Sequence, residues 1–243
     1  MTDREMALRA LQCLDLTNLN DNCSGTDIDA LIAKARSPFG SVAALCVWPR
    51  FVAQVKNGLK DSGIHIATVI NFPSGDEGVE TSRLATRRAL SDGADEIDVV
   101  LPWRAFKQGE IDAARELLLG VAQDTKPHAH LKVILETGEL KEPDLIRQAS
   151  ELAIECGADF IKTSTGKTAI SATPEAARVM LEVIRASGKP VGFKASGGIR
   201  SFEDAKAYLL ICDEVMGEDW AKPETFRFGA SGLLDALLER LSA

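Results

Sequence analysis

A chain of 243 residues that is 45% hydrophobic and 26% charged can build a sizeable core, and a net charge of -8 without a basic run argues against nucleic acid as a partner. No apolar run reaches the ~18 residues of a membrane span and Met1-Thr2-Asp3-Arg4-Glu5 is charged, so a cytoplasmic protein with no membrane partner is expected. The five cysteines, Cys13, Cys23, Cys46, Cys156 and Cys212, are odd in number and contain no Cys-x-x-Cys pair, which argues against a disulfide framework or a zinc knuckle.

Taken in order, Glu5 to Leu11 has helical spacing, and Leu14-Asp15-Leu16-Thr17-Asn18-Leu19 reads as turn formers that break it. A second helix is expected from Thr26 to Ala35, with Thr26 as N-cap, stopping before Ser37-Pro38-Phe39-Gly40. Short apolar runs then alternate with helical stretches. Strands are expected at Ala43–Trp48, His65–Asn71, Glu96–Leu101, Leu131–Thr137, Phe160–Ser164, Val191–Ala195, weakly at Glu214-Val215-Met216, and at Phe226–Gly229. Helices are expected near 50–61, 77–92, 110–123, 142–156, 175–187, 202–211 and 232–241, with Thr173-Pro174-Glu175 a good opening. This alternation predicts an α/β fold: a single (β/α)8 barrel domain over 1–243 with an additional N-terminal helix, the doubly wound open sheet being the alternative that periodicity leaves open.

In such a barrel the chemistry sits at the C-terminal strand ends. Charged residues stand there inside otherwise apolar runs: Asp98 in Glu96-Ile97-Asp98-Val99-Val100, Lys132 and Glu136 on the next strand, Lys162 in Phe160-Ile161-Lys162, and Lys194 in Gly192-Phe193-Lys194. A buried structural ion-pair network is the bland reading of this pattern. The chemical reading is that a lysine becomes a nucleophile only when neutral. Two ammonium groups ~4 Å apart at an effective dielectric of ~20 repel by about 4 kcal/mol, roughly three pKa units. Lys162 and Lys194 are placed for this, and because repulsion is symmetric, it does not say which one reacts.

Three loops suit an anion: Thr165-Gly166-Lys167, Gly197-Gly198-Ile199-Arg200, and Gly229-Ala230-Ser231-Gly232 before the last helix. A nucleotide P-loop at Gly166-Lys167-Thr168 is excluded, since Ile161 stands where its first glycine belongs. His128 and His130 have an i, i+2 spacing that could hold a metal, but with only His65 besides them no metal site is expected. Cys46 is read as a small core residue, and Trp48, Trp103 and Trp220 as rim packing.

Phe160-Ile161-Lys162-Thr163-Ser164-Thr165-Gly166-Lys167, Gly192-Phe193-Lys194 and Gly197-Gly198-Ile199-Arg200 closely resemble the 2-deoxyribose-5-phosphate aldolase family. Leu14-Asp15-Leu16-Thr17, Cys46-Val47-Trp48-Pro49-Arg50, Asn71-Phe72-Pro73, Lys132 to Gly138 and Arg227-Phe228-Gly229-Ala230-Ser231 extend the resemblance over nearly the whole chain. It implies a class I aldolase, with neither metal nor cofactor, cleaving 2-deoxy-D-ribose 5-phosphate reversibly to D-glyceraldehyde 3-phosphate and acetaldehyde. Lys162 matches the Schiff-base lysine, Lys194 the neighbour that depresses its pKa, and Asp98 the carboxylate of a proton relay. Gly166, Lys167, Gly197, Gly198, Arg200, Gly229 and Ser231 match the phosphate surroundings, and Asp15 and Thr165 match residues near the sugar hydroxyls and reactive carbon.

The chain departs from the family pattern at Ala195-Ser196, where Pro-Ala is common, and at Gly232, where some members have a second serine. Some members also use a tyrosine on a C-terminal tail, whereas the only tyrosine here is Tyr208. Two other functions fit the residues: another Schiff-base sugar-phosphate aldolase or transaldolase, and a catalytically silent sugar-phosphate-binding barrel. The expected partners are small sugar phosphates and aldehydes, with a homodimer as the expected assembly if the barrel self-associates.

Overall fold

Each of the eight short parallel strands carries one apolar face for a layer of helices and one face that only a closed sheet can bury. The computed structural model, which describes residues 1–60 and 62–243, closes them into a barrel. Its strands are β1 (Leu14–Asn18), β2 (Ala44–Val47), β3 (His65–Ile70), β4 (Glu96–Val100), β5 (His130–Ile134), β6 (Phe160–Lys162), β7 (Gly192–Ser196) and β8 (Phe226–Ala230). Neighbours pair in parallel around the ring and β1 joins β8. Outside lie α1 (Asp3–Gln12), α2 (Gly25–Lys34), α3 (Val52–Leu59), α4 (Val79–Ser91), the short α5 (Trp103–Lys107), α6 (Ile111–Thr125), the short α7 (Thr137–Leu140), α8 (Pro143–Glu155), α9 (Pro174–Ser187), α10 (Phe202–Met216) and α11 (Leu233–Ser242). Arg36–Ser37 and Gly40–Ser41 add a small antiparallel ribbon.

The eight-strand barrel is as expected, but two of its strands are differently assigned. Leu14–Asn18 is β1 rather than a turn, because Asp15 and Thr17 face the barrel interior, where a buried carboxylate finds cations. Glu214-Val215-Met216 is the end of α10 instead of a strand: Tyr208, Leu209, Cys212 and Val215 are buried at helical spacing, which carries the helix past 211. Smaller shifts follow local chemistry. Ser24, not Thr26, caps α2 in a reciprocal capping box with Asp27. The stretch expected as a helix at 50–61 is a 3-10 turn at Pro49–Phe51 followed by α3, and residue 61 lies outside the described residues. Thr173 caps α9 with Pro174 in its first turn, as its sequence suggests.

The interior is divided. β2 and β3 contribute Ala44, Cys46, Ala67 and Val69, which form a small apolar cluster separate from the main core. β1 and β4 to β8 contribute Asp15, Glu96, Asp98, Lys132, Lys162, Lys194 and Arg227, all buried. The main core lies between strands and helices and includes Leu14, Leu16, Ile97, Val99, Leu131, Val133, Ile161, Phe193, Phe226 and Phe228. Phe160 fills the barrel across from Gly192, where a Cβ would stand 2.3 Å from the Phe160 ring. Gly192→Ala is therefore expected to cost about 1–3 kcal/mol through overpacking, read as a lower urea midpoint with an unchanged denaturant slope.

Candidate active site

Strand register stacks the charged residues. Lys132 on β5 pairs with Asp98 on β4, Lys162 on β6 with Lys194 on β7, and Lys194 in turn with Arg227 on β8. Asp15 on β1 lies beside Gly229, whose missing side chain leaves room: a Cβ there would stand 3.0 Å from Lys194 Cε and 2.7 Å from Ser196 Oγ.

The centre of the cluster is the Asp98 carboxylate. Its Oδ2 accepts from Lys162 Nζ at 2.8 Å and from Lys194 Nζ at 2.9 Å, while Oδ1 accepts from Lys132 Nζ at 2.9 Å. Lys194 also donates to Asp15 Oδ2 at 2.5 Å, and Asp15 Oδ1 accepts from Arg227 Nη1 at 2.7 Å. Arg227 continues to Glu96 Oε1 at 2.9 Å, and Lys132 donates to Glu96 Oε2.

This arrangement breaks the symmetry between the two lysines. Burial acts against the Lys194 ammonium, yet Asp15 and Asp98 outweigh it and hold its pKa above the ordinary lysine value. Lys132 is likewise raised, because Asp98 and Glu96 overcome its burial. Lys162 is the exception. Burial pushes its pKa down, Lys194 adds repulsion, and its single carboxylate partner Asp98 does not restore it. Burial favours a neutral Asp98, but Lys132, Lys162 and Lys194 together hold it well below the usual carboxylate range. Asp15 is lowered against its own burial, first by Lys194 and then by Arg227.

Above Lys162 opens a cleft of about 210 Å³ at the C-terminal strand ends. Its lining includes Thr165, Gly166 and Lys167 after β6, Gly197, Gly198 and Arg200 after β7, and Gly229 and Ser231 at β8 and before α11. The loops expected to bind an anion thus follow the sixth, seventh and eighth strands of the barrel, one place later for the first two than a count without β1 gives. Gly166, Gly197 and Gly198 have φ of +78°, +85° and +82°, backbone that L side chains rarely adopt. Ten-residue α11 points its N-terminus at this end, where its dipole favours an anion. Lys167 Nζ sits 3.1 Å from Asp21 Oδ1 and 6.0 Å from the Trp48 ring centroid, at the cleft edge.

Every site residue expected from sequence falls in one of these two layers. Asp15, Asp98, Lys162 and Lys194 are in the buried cluster, and Thr165, Gly166, Lys167, Gly197, Gly198, Arg200, Gly229 and Ser231 line the cleft above it. Lys132 and Glu136, expected on one strand face, are separated. β5 ends at Ile134 and Glu136 turns into a left-handed conformation with φ of 59°. Glu136 instead accepts from Thr165 Oγ1 at 2.5 Å and from Thr168 Oγ1 at 3.3 Å, bracing the loop after β6, and burial raises its carboxyl pKa. Ser196, where the family commonly has alanine, lines the cleft. Its N–H donates to Thr163 Oγ1 at 3.0 Å.

Sequence reasoning missed Arg227 and Glu96 as members of the cluster, although the signal was present: each is a charged residue alternating with apolar ones on a strand, as Lys162 is. Tyr208 is buried in α10, so it does not stand in for a tail tyrosine. His130 stacks on His65 with ring centroids 6.3 Å apart, at the opposite end of the strands from the cleft. Among the described residues no group of three or more His, Cys, Asp or Glu side chains is arranged to hold a metal ion.

A closed (β/α)8 barrel with a buried amine below an anion-suited cleft is the arrangement of a barrel aldolase. The family model for DeoC/LacD family aldolases matches residues 9–231, and the chain belongs to that family. It is 53% identical over 240 residues to the deoxyribose-phosphate aldolase of Agrobacterium fabrum, covering 98% of this chain and 93% of that one. The structure of deoxyribose phosphate aldolase from Aeropyrum pernix, described as a tetramer, superposes with a TM-score of 0.79 at 25% identity, covering 100% of this chain and 93% of the other. A Toxoplasma gondii ME49 structure provisionally assigned the same activity gives a TM-score of 0.88 at 25% identity, with 98% and 94% covered.

Because Asp15 and Asp98 are more acidic folded than unfolded, the unfolded chain takes up their protons first on acidification. Their contribution is complete above about pH 5 and is lost as pH falls through the ordinary carboxylate range toward the lower folded values. The urea midpoint is accordingly expected to fall between about pH 5 and about pH 3. Asp15→Asn, which leaves Arg227 and Lys194 short of a carboxylate, is expected to cost about 3–5 kcal/mol at neutral pH and to lose less of its remaining stability over the same interval.

Proposed function

We propose that this chain cleaves 2-deoxy-D-ribose 5-phosphate reversibly to D-glyceraldehyde 3-phosphate and acetaldehyde, using Lys162 as the nucleophile, in one barrel domain spanning 1–243. The observation that carries the choice of nucleophile is that Lys162 and Lys194 donate to the same Asp98 oxygen, while only Lys194 has a second carboxylate to keep it charged. The activity of the Agrobacterium fabrum relative, 53% identical over nearly the whole chain, supports the choice of substrate.

In this reading the neutral Lys162 amine adds to C1 of the open-chain sugar, and water leaves with uptake of one proton from solvent, giving a protonated imine. The C2–C3 bond then breaks with its electron pair flowing toward the imine nitrogen, while the C3 hydroxyl proton passes to Asp98 through a water. The triose phosphate departs, C2 of the resulting enamine takes the proton back from Asp98 through the water, and hydrolysis of the iminium releases acetaldehyde, the free amine and one proton. The protonated imine is itself the electron sink, so the route calls for no cofactor. Lys194 remains an ammonium, keeping Lys162 neutral and orienting Asp98. The cleft formed by the loops after β6, β7 and β8 takes the phosphate, with Lys167 and Arg200 supplying charge and the glycines supplying backbone N–H groups.

The proposed location is the cytoplasm; no helix among the described residues is long and apolar enough to cross a membrane. The proposed assembly is a homodimer, and light scattering at micromolar concentration would separate it from a monomer or from a tetramer like that of the Aeropyrum pernix protein.

Borohydride reduction with acetaldehyde in the presence of a chelator, followed by peptide mass analysis, is expected to give a two-carbon adduct on Lys162. Lys162→Ala abolishes it and Lys194→Leu reduces it at neutral pH by about tenfold or more, recovering as pH rises. An adduct on Lys194 would exchange the two roles. Binding of the sugar phosphate without an adduct would replace the enzyme with a silent binding protein, and turnover with dihydroxyacetone phosphate or dihydroxyacetone in place of acetaldehyde would indicate another aldolase or a transaldolase.

A further inference from the structure

Beyond the groups that would touch substrate, the barrel interior holds charges for which the proposed reaction has no direct use. Arg227 is 3% exposed, with Nη1 and Nη2 on Asp15 and Glu96 and Nε on the Pro223 carbonyl. Glu96 is fully buried, and among the described residues its ion-pair partners are Arg227, Lys132 and, at 3.7 Å, the half-exposed His65 at the far end of the barrel. Neither lines the cleft.

Leaving aside His65, which adds a charge to Glu96 only when protonated, the ion-paired set contains three carboxylates, Asp15, Glu96 and Asp98, and four basic groups, Lys132, Lys162, Lys194 and Arg227. With every basic group protonated, the set carries one surplus positive charge among side chains that are at most 3% exposed. Such a charge is expensive to hold, and loss of one proton removes it. A guanidinium does not give up that proton. Of the three lysines, Lys132 and Lys194 each have two close carboxylate partners and Lys162 has one.

We infer that Arg227 and Glu96 are positioning residues that set the charge balance of the buried cluster, so that its one surplus proton is shed from Lys162. The inference rests on Lys162 being the imine-forming lysine. Arg227 occupies Asp15 and Glu96 with a charge that cannot titrate, and the surplus is thereby moved onto the lysines. Glu96 offsets Arg227 and Lys132 without approaching Lys162.

Two further titratable groups lie near Lys162 without ion-pairing to it: Cys46, and Glu136, which acts on it through space. Cys46 on β2 is a buried thiol whose pKa burial pushes up, so it stays neutral. Glu136, beyond β5, is bonded to Thr165 and Thr168 and makes no ion pair among the described residues. β3 contributes only His65, beside Glu96 and stacked on His130 of β5.

Opposite substitutions should therefore act in opposite directions, which a merely structural role would not produce. The readout is the rate of cyanoborohydride trapping of acetaldehyde on Lys162, at saturating reductant, as a function of pH. Arg227→Gln removes the surplus and is expected to move the rising limb up by about one pH unit, a roughly tenfold loss at pH 7. Arg227→Lys keeps the charge and is expected to restore most of the rate. Glu96→Gln enlarges the surplus and is expected to move the limb down, and the double variant Arg227→Gln/Glu96→Gln to return it close to the wild-type position.

Equal shifts in one direction, or lower rates with an unmoved limb, would overturn the inference while leaving the nucleophile assignment standing. Absence of any Lys162 adduct from the wild-type protein at every pH would overturn that assignment instead. If Arg227→Gln does not fold, the direction of the Glu96→Gln shift still decides, a downward shift supporting the inference and an upward or absent shift refuting it.

Discussion

A single carboxylate organises the middle of this barrel. Asp98 accepts from three lysines carried by three different strands, and its two oxygens are divided unequally: Oδ1 serves Lys132, and Oδ2 serves both Lys162 and Lys194. Ammonium groups repel, so bringing them onto one carboxylate is stable only because other anions stand behind two of them. Asp15 does this for Lys194 and Glu96 for Lys132. Lys162 is left with the shared partner alone.

Barrel closure makes that inequality possible. The sheet register sets Lys162 beside Lys194 and Lys194 beside Arg227, so the cationic groups follow one another around the ring and the carboxylates reach them from β1 and β4. The small residues on the opposite side, Ala44, Cys46 and Ala67, bring no ion-paired charge into the interior. Phe160 closes the centre from within, with the Arg227 guanidinium 5.5 Å and Lys132 Nζ 6.0 Å from its ring centroid. Both cations therefore lie against an aromatic ring instead of water. Excluding water is what gives the cluster its leverage on a lysine pKa, since the same charges in solvent would be screened.

The cleft is built by different means from the cluster beneath it. Its walls include three glycines at positive φ and the turn at Ser231 that leads into α11, so backbone joins Lys167 and Arg200 in the surface that would meet an anion. Contact between the loops is close: a Cβ on Gly197 would stand 2.6 Å from the Ser171 side chain and 3.1 Å from Gly166 Cα. Glu136 links the two layers, since its carboxylate holds Thr165 while its own position is fixed by the turn that ends β5. The loop nearest Lys162 is thus anchored to the strand beside it.

Much of this was legible in one dimension. Alternation of charged and apolar residues marked Asp98, Lys132, Lys162 and Lys194 as inward-facing, because strand periodicity assigns faces without knowledge of the fold. Repetition of strand and helix gave the barrel, and the glycine-rich turns gave the cleft. The first strand was hidden because Asp15 and Thr17 have turn propensity in isolation; only the cations of β7 and β8, about 180 and 210 residues away, make a buried aspartate there favourable. Which lysine has its pKa lowered was decided by tertiary structure alone. Repulsion between two amines is symmetric, and the asymmetry comes from the number of carboxylates each can reach, a quantity that exists only once the ring has closed.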